Sequence, residues 1–237
     1  MDEFGKLYLI PTTLGDNEPL EVLPLSVKKK VEQLQYFIVE NEKTARRFIK
    51  RIAPKKSQAS LHILLLDKYT DLMESKHYLD ICFKGISIGL LSEAGVPAIA
   101  DPGASMVKLA HQLQLRVVPL VGPSSILLAM MASGMNGQNF AFNGYLPIDK
   151  LERKASIKKL EKKSKALNQS QLFIETPYRN EKMFSSLLQT LTPTTQLCVA
   201  ADISLATEYI RTMSVQEWKS KKPDLHKRPC IFIIHKA

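Results

Sequence analysis

Short runs of apolar, β-favouring residues alternate with stretches in which apolar positions recur every three or four residues, and this alternation predicts an α/β architecture. In the first half the pattern predicts strands over 6–10, 36–40, 61–66, 86–91 and 116–120. Helices are expected at 42–52, where Ala45, Phe48, Ile49 and Ile52 form one face, and at 104–113, with Val107, Ala110 and Leu113 inward. The segment 117–125 places two prolines and a glycine between a strand and an apolar helix. A domain boundary is expected there, dividing an N-terminal α/β domain, 1–120, from a C-terminal one, 121–237. The second half predicts helices at 124–133, 151–168 and 180–190, and strands near 140–143, 171–175, 196–200, 209–212 and 230–235. The Lys- and Pro-rich stretch 219–229 is expected to be an exposed loop.

Length and composition fit this picture. The 237 residues, 45% hydrophobic and 24% charged, suffice for one large domain or two small ones with real cores. The longest apolar run, Ile126 to Ala132, is far too short to span a bilayer. The N-terminus opens with two acids and shows no signal-peptide pattern, so a cytoplasmic protein is expected. Cys82, Cys198 and Cys230 are odd in number and lie in apolar stretches, which predicts buried, reduced thiols. The five histidines have no metal-ligand spacing, and no metal is expected.

Charge changes the picture more. Lys and Arg outnumber Asp and Glu by 33 to 23, a net charge of +10. Part of the excess lies between Asp149 and Lys165, where eight bases face three acids. Lys43, Arg46, Arg47, Lys50 and Arg51 form a second basic group. A solvated helix face explains either group, and a polyanionic partner explains both.

The commonest α/β chemistries are excluded by motif. There is no GxGxxG after the first strand, no GxxxxGK[ST] and no GxSxG. Four Gly/Pro loops at strand ends remain, where ligands of open α/β sheets bind. They are Ile10–Asp16, Leu91–Gly103, Val121–Ser125 and Phe173–Arg179, the last expected to expose an acid, an aromatic and a base.

In sequence these loops read LIPTTLGD, LLSEAGVPAIADPG, VVPLVGPSSILLAMMASGMNGQNFAFNGYLP and FIETPYR. Their order and spacing resemble the tetrapyrrole methylase, or class III S-adenosylmethionine-dependent methyltransferase, family. Within it they are similar to the branch that methylates a ribose 2′-hydroxyl of small-subunit ribosomal RNA. The similarity covers nearly the whole chain and is strongest from Leu91 to Pro147. Two segments depart from the branch pattern. Glu40-Asn41-Glu42-Lys43 stands where the branch has Glu-Asp-Thr-Arg, and Ala200-Ala201-Asp202-Ile203-Ser204-Leu205 where it has Ala-Arg-Glu-Leu-Thr-Lys.

The resemblance implies two α/β domains with mixed sheets, a cofactor cleft between them, and a homodimer. It implies that S-adenosylmethionine meets Ser92, Glu93, Ala94, Gly95, Val96, Pro97 and Ile99 at its amino-acid and sulfonium end. At its adenosine end it implies Ser124, Ser125, Glu175, Ile203 and Cys230. A ribose hydroxyl is a weak nucleophile and calls for a base nearby; Glu175 and Asp101 lead the candidates, ahead of Glu40, Asp202 and Glu208. Glu40, Tyr145, Tyr178 and Arg179 are expected to line the acceptor side, with Arg46, Arg47, Lys154 and Lys158 on phosphates. The partner expected is ribosomal RNA or the small ribosomal subunit, with no membrane. Methylation of a tetrapyrrole or other small molecule, and a non-catalytic cofactor-binding paralogue, are the alternatives.

Overall fold

The computed structural model describes residues 4–67, 70, 75–100 and 103–237. The chain forms two compact units, the first ending at Ser124 and the second running from Ser125 to Ala237.

In the first unit, β1 (Leu7–Ile10) leads through α1 (Pro19–Val22) and α2 (Leu25–Gln33) to β2 (Tyr36–Val39). There follow α3 (Glu42–Ile52), β3 (His62–Leu65), β4 (Ile88–Leu91), α4 (Ala104–Gln112) and β5 (Val117–Pro119). The strands form a sheet in the order β3-β2-β4-β1-β5, parallel at every pairing. Parallel strands need covered faces, and both faces are covered. On one, Ile10, Phe37 and Leu91 pack with Val27 and Val31 of α2 and Ile49 and Ile52 of α3. On the other, Leu7, Ile38, Ile88 and Leu90 pack with Leu79, Cys82, Met106 and Ala110.

The helix over 42–52 begins where it does because Asn41 accepts from the amides of Lys43 and Thr44 at 3.0 and 3.2 Å. Its buried Ile49 and Ile52 each contribute about 1.5–3 kcal/mol of transfer free energy. The two helices between Pro19 and Gln33 have no counterpart in the sequence pattern. One is a single turn with proline at its start, and the other carries three consecutive lysines that blur its short apolar stripe.

The second unit contains α5 (Ser125–Ser133), β6 (Phe140–Tyr145), α6 (Lys150–Leu167), β7 (Ser170–Glu175) and α7 (Asn180–Thr190). It closes with β8 (Gln196–Ala201), β9 (Tyr209–Ser214), α8 (Val215–Trp218) and β10 (Cys230–His235). Its sheet, ordered β6-β7-β10-β8-β9, is mixed: β6 runs parallel to β7, and the other pairings are antiparallel. Phe173, Val199 and Phe232 pack against Ile157 and Leu160 of α6, Met183 and Leu187 of α7 and Trp218 of α8. The apolar α5 contacts β8, β9 and β10.

The stretch 219–229, expected to be exposed throughout, is irregular but pinned, because Leu225 is buried in the core. All three thiols are buried and unpaired. Among the described residues no helix is long and apolar enough to cross a membrane.

Candidate functional site

Two polar loops meet at the carboxyl ends of the first unit's central strands. Ser92, just past β4, is buried and donates its hydroxyl to the Gly95 carbonyl at 2.5 Å. The Thr12 amide, just past β1, donates to the same carbonyl at 2.9 Å, and the two hydroxyls lie 3.3 Å apart. Gly95 itself has φ +76°, and a Cβ there would sit 2.9 Å from a Leu14 methyl and 3.1 Å from the Pro123 carbonyl. Glycine is therefore required both for the left-handed backbone and for the close approach. Ala98 and Ala100 in the same loop are also left-handed, at φ 67° and 58°. Three such residues within six positions hold the loop away from any regular element, as binding loops often are.

Helix α3 supplies the third side. Thr44 in its first turn donates to Glu93 Oε1 at 2.7 Å, so the helix start is tied to the loop after β4. Arg51, in the last turn of α3, reaches Asp16 at 2.5 Å and Glu18 at 3.1 Å. The hydrogen bond that Arg51 donates to Glu18 raises its guanidinium above its ordinary range, with Asp16 adding to it against partial desolvation. These groups enclose a pocket of about 400 Å³ lined by Thr12, Thr13, Asp16, Thr44, Arg47, Ser92 and Glu93, among others. Arg47 is exposed and makes no hydrogen bond or ion pair among the described residues, whereas Arg46 is held by Glu42 at 2.7 Å and by the Gln58 carbonyl. The two adjacent arginines, equivalent in sequence, differ in availability.

The structure thus brings Ser92, Glu93, Gly95 and Arg47 into one neighbourhood. Pro97 is buried, Ala94 and Ile99 are exposed, and Val96, Ser124, Ser125 and Glu40 are half-buried. Asp101 lies outside the described residues. Sequence reasoning missed Thr44 as a site residue. Its signal was the Asn41 cap, which places the residue three positions on over the helix start.

A second convergence lies in the second unit. Cys230, opening β10, pairs with Glu175 at the end of β7 and with Ala201 at the end of β8. Ile203 follows two residues after Ala201, so Glu175, Ile203 and Cys230, widely separated in sequence, share one end of the sheet. Glu175, expected to be exposed, is buried. Its Oε1 accepts from the Thr176 amide at 2.7 Å and from Arg179 Nε and Nη2 at 2.9 and 2.6 Å. The acid is drawn in because Arg179, four residues on, folds back to neutralise it.

Asp202 is likewise engaged, by Arg228 Nε at 2.7 Å and the Thr207 hydroxyl at 2.8 Å. Glu208 accepts from the Ser204 amide at 2.7 Å. Burial pushes the Cys230 thiol up to about 12, which makes it a poor nucleophile near neutrality. Tyr145 and Tyr178 are exposed, with the Lys227 ammonium 5.9 Å from the Tyr178 ring centroid.

Comparison with known proteins places this geometry. No family model matches the chain. Among solved structures, the methyltransferase CobJ superposes with a TM-score of 0.65 at 14% identity, covering 98% of this chain and 95% of that one. The cobalt precorrin-4 methyltransferase CbiF superposes with a TM-score of 0.60 at 14% identity, covering 97% and 94%. The chain has the fold of the tetrapyrrole methyltransferases.

By sequence it is 26% identical to the ribosomal RNA small subunit methyltransferase I of Vibrio cholerae, over 97% of this chain and 76% of that protein. The protein of the same name from Buchnera aphidicola is 26% identical, over 99% and 79%. One from Streptococcus pyogenes is 31% identical over 78% of this chain and 60% of its own length. The chain is a homologue of the proteins named ribosomal RNA small subunit methyltransferase I, and it is a methyltransferase.

Proposed function

We propose that this chain is an S-adenosylmethionine-dependent methyltransferase acting on a ribose 2′-hydroxyl of small-subunit ribosomal RNA. The observation that carries the reading is likeness to the small-subunit methyltransferases over 97% of the chain. The four loops quoted above match that branch's pattern, and the charge of +10 suits an RNA substrate.

The residues present fit the cofactor. A sulfonium is cationic and is stabilised by carbonyl oxygens and a carboxylate. The loop 92–100 offers irregular backbone, a glycine that admits no side chain, and Glu93 fixed by Thr44. Bound there, the cofactor supplies an activated methyl group to an in-line displacement that needs no covalent enzyme intermediate. The chain's own contribution is positioning. Ser92 and Thr12 lock the Gly95 turn, and Thr44 aims Glu93. Glu175 and Asp101 are the carboxylates we assign to the acceptor hydroxyl, whose proton must leave as its oxygen bonds to the methyl carbon. Ser124, Ser125, Ile203 and Cys230 are assigned to the adenosine.

On the acceptor side, Arg47, exposed and without a partner among the described residues, is placed to meet a phosphate, while Arg46 is spent on Glu42. Tyr145 and Tyr178 are exposed and suited to stacking on unpaired bases. The departure at Asn41 is compatible with the reading, because Asn41 caps α3 as an aspartate would. We further propose that the two domains divide near residue 120, that the protein works in the cytoplasm, and that it assembles as a homodimer.

Radiolabelled methyl transfer tests the reading, with the protein offered small ribosomal subunits, naked ribosomal RNA and a small-molecule extract. Label is expected in the RNA or the subunits. Label confined to the extract would assign a small-molecule substrate instead, and cofactor binding with no transfer would assign a non-catalytic role.

A further inference from the structure

Helix α6 carries lysines at positions 150, 154, 158 and 162, all exposed, with Lys159 and Lys163 beside them. At 1.5 Å per residue, successive members of the first series stand about 6 Å apart along the axis, so the row extends about 18 Å. None of the six ammonium groups makes a hydrogen bond or ion pair among the described residues.

Of the three acids in this segment two are occupied elsewhere, and the third, Glu152, is exposed on the helix. Asp149 caps the helix, accepting from the amides of Leu151 and Glu152 at 2.8 and 3.0 Å. Glu161 turns away to the Thr192 amide and hydroxyl at 2.8 and 3.0 Å and to the Thr195 hydroxyl. The one arginine of the helix, Arg153, is buried against Ser186 and the Ile148 carbonyl. The opposite face, with Ile157 and Leu160, is held in the core. The helix is therefore rigidly mounted and presents a row of ammonium groups that outnumber its one exposed acid, Glu152.

We infer that this row is a docking ridge for the phosphate backbone of structured RNA, additional to the residues assigned to the methyl-transfer site. The inference rests on the RNA reading for the identity of the polyanion. Lysine ammoniums are hydrated point charges with no acceptor atoms, so such a ridge engages phosphates without reading sequence. Its contribution is affinity through counterion release, and its signature is salt dependence.

The test compares two variants of equal charge change, K154Q/K158Q/K162Q on the ridge and K219Q/K221Q/K222Q in the exposed 219–222 segment. Filter binding to purified small-subunit ribosomal RNA is measured across a salt series. Circular dichroism and cofactor affinity serve as checks on folding and the cofactor site, and glutamine is compatible with an exposed helix. The ridge variant is expected to lose about tenfold in RNA affinity, with the slope of log K against log salt shallower by about 2, at unchanged cofactor affinity.

The control is expected to stay close to the parent. An unchanged slope and affinity in the ridge variant would overturn the inference, and so would equal losses in both variants, which mark diffuse charge. Ridge-specific loss of RNA binding in a protein that transfers no methyl group to RNA would uphold the ridge and overturn the methylation reading instead.

Discussion

Thr44 donates its hydroxyl to Glu93 across 2.7 Å, joining the first turn of α3 to the loop that leaves β4. The two residues are 49 positions apart, and the bond ties the start of the basic helix to that loop. Because the pair is exposed to solvent, its worth is modest. Thr44→Val should weaken S-adenosylmethionine binding by about threefold to tenfold, measured by calorimetry, while thermal stability changes little.

Gly95→Ala should be more severe. The substitution forces a Cβ into left-handed backbone at φ +76° and within 2.9 Å of Leu14. The conformational cost alone is about 1–2 kcal/mol. Cofactor affinity is expected to fall by at least about tenfold, because the turn held by Ser92 and Thr12 must open to relieve the contact.

Glu175 and Arg179 form a pair whose carboxylate is almost wholly buried, at 3% side-chain exposure, and whose guanidinium is 30% exposed. Removing the acid strands a partly buried cation. Glu175→Ala should cost about 2 kcal/mol in urea unfolding, less than a fully buried pair because water reaches Arg179. Glu175→Gln should recover part of that stability. If it restores stability without restoring methyl transfer, the carboxylate acts on the reaction as well as the fold.

The chain has a single tryptophan, and it reports on the second unit alone. Trp218 is fully buried, donates to the Leu197 carbonyl at 2.8 Å and meets the Phe184 ring edge-on. Its emission should be blue-shifted in the native state and shift red on unfolding. Trp218→Ala should cost about 3–5 kcal/mol.

Burial raises the Cys82 thiol to about 11 and the Cys230 thiol to about 12, from ordinary values of 9.0. A raised pKa means that the folded state keeps its proton while the unfolded state loses it. The stability linked to these thiols is therefore complete below pH 9 and declines as pH rises from there toward 12. Cys82→Ala should flatten the alkaline fall in melting temperature relative to the parent. Native thiols should resist alkylation at pH 8 and react after denaturation.

Strands and long helices were legible because their signal is periodic. The helices at 42–52 and 180–190 and the strand at 230–235 have the expected limits. The two helices between Pro19 and Gln33 were not legible, because a proline-led turn and a lysine run carry little apolar period. The site divides the same way. Ser92, Gly95 and Glu175 announce themselves through Gly/Pro loops at strand ends. What the one-dimensional pattern could not show is side-chain direction. Nothing in the sequence separates Arg46, bound to Glu42, from Arg47, which has no partner among the described residues, or reveals that Glu175 turns inward to Arg179.

The central claim is ribose methylation of small-subunit RNA, and the most direct measurement is alkaline hydrolysis of RNA labelled by this protein from S-adenosylmethionine. A methylated 2′-oxygen cannot take part in backbone cleavage, so the account predicts radiolabel in alkali-resistant dinucleotides. Label released as mononucleotides would place the methyl group on a base and contradict the account, as would a complete absence of label in RNA and subunits despite measurable cofactor binding.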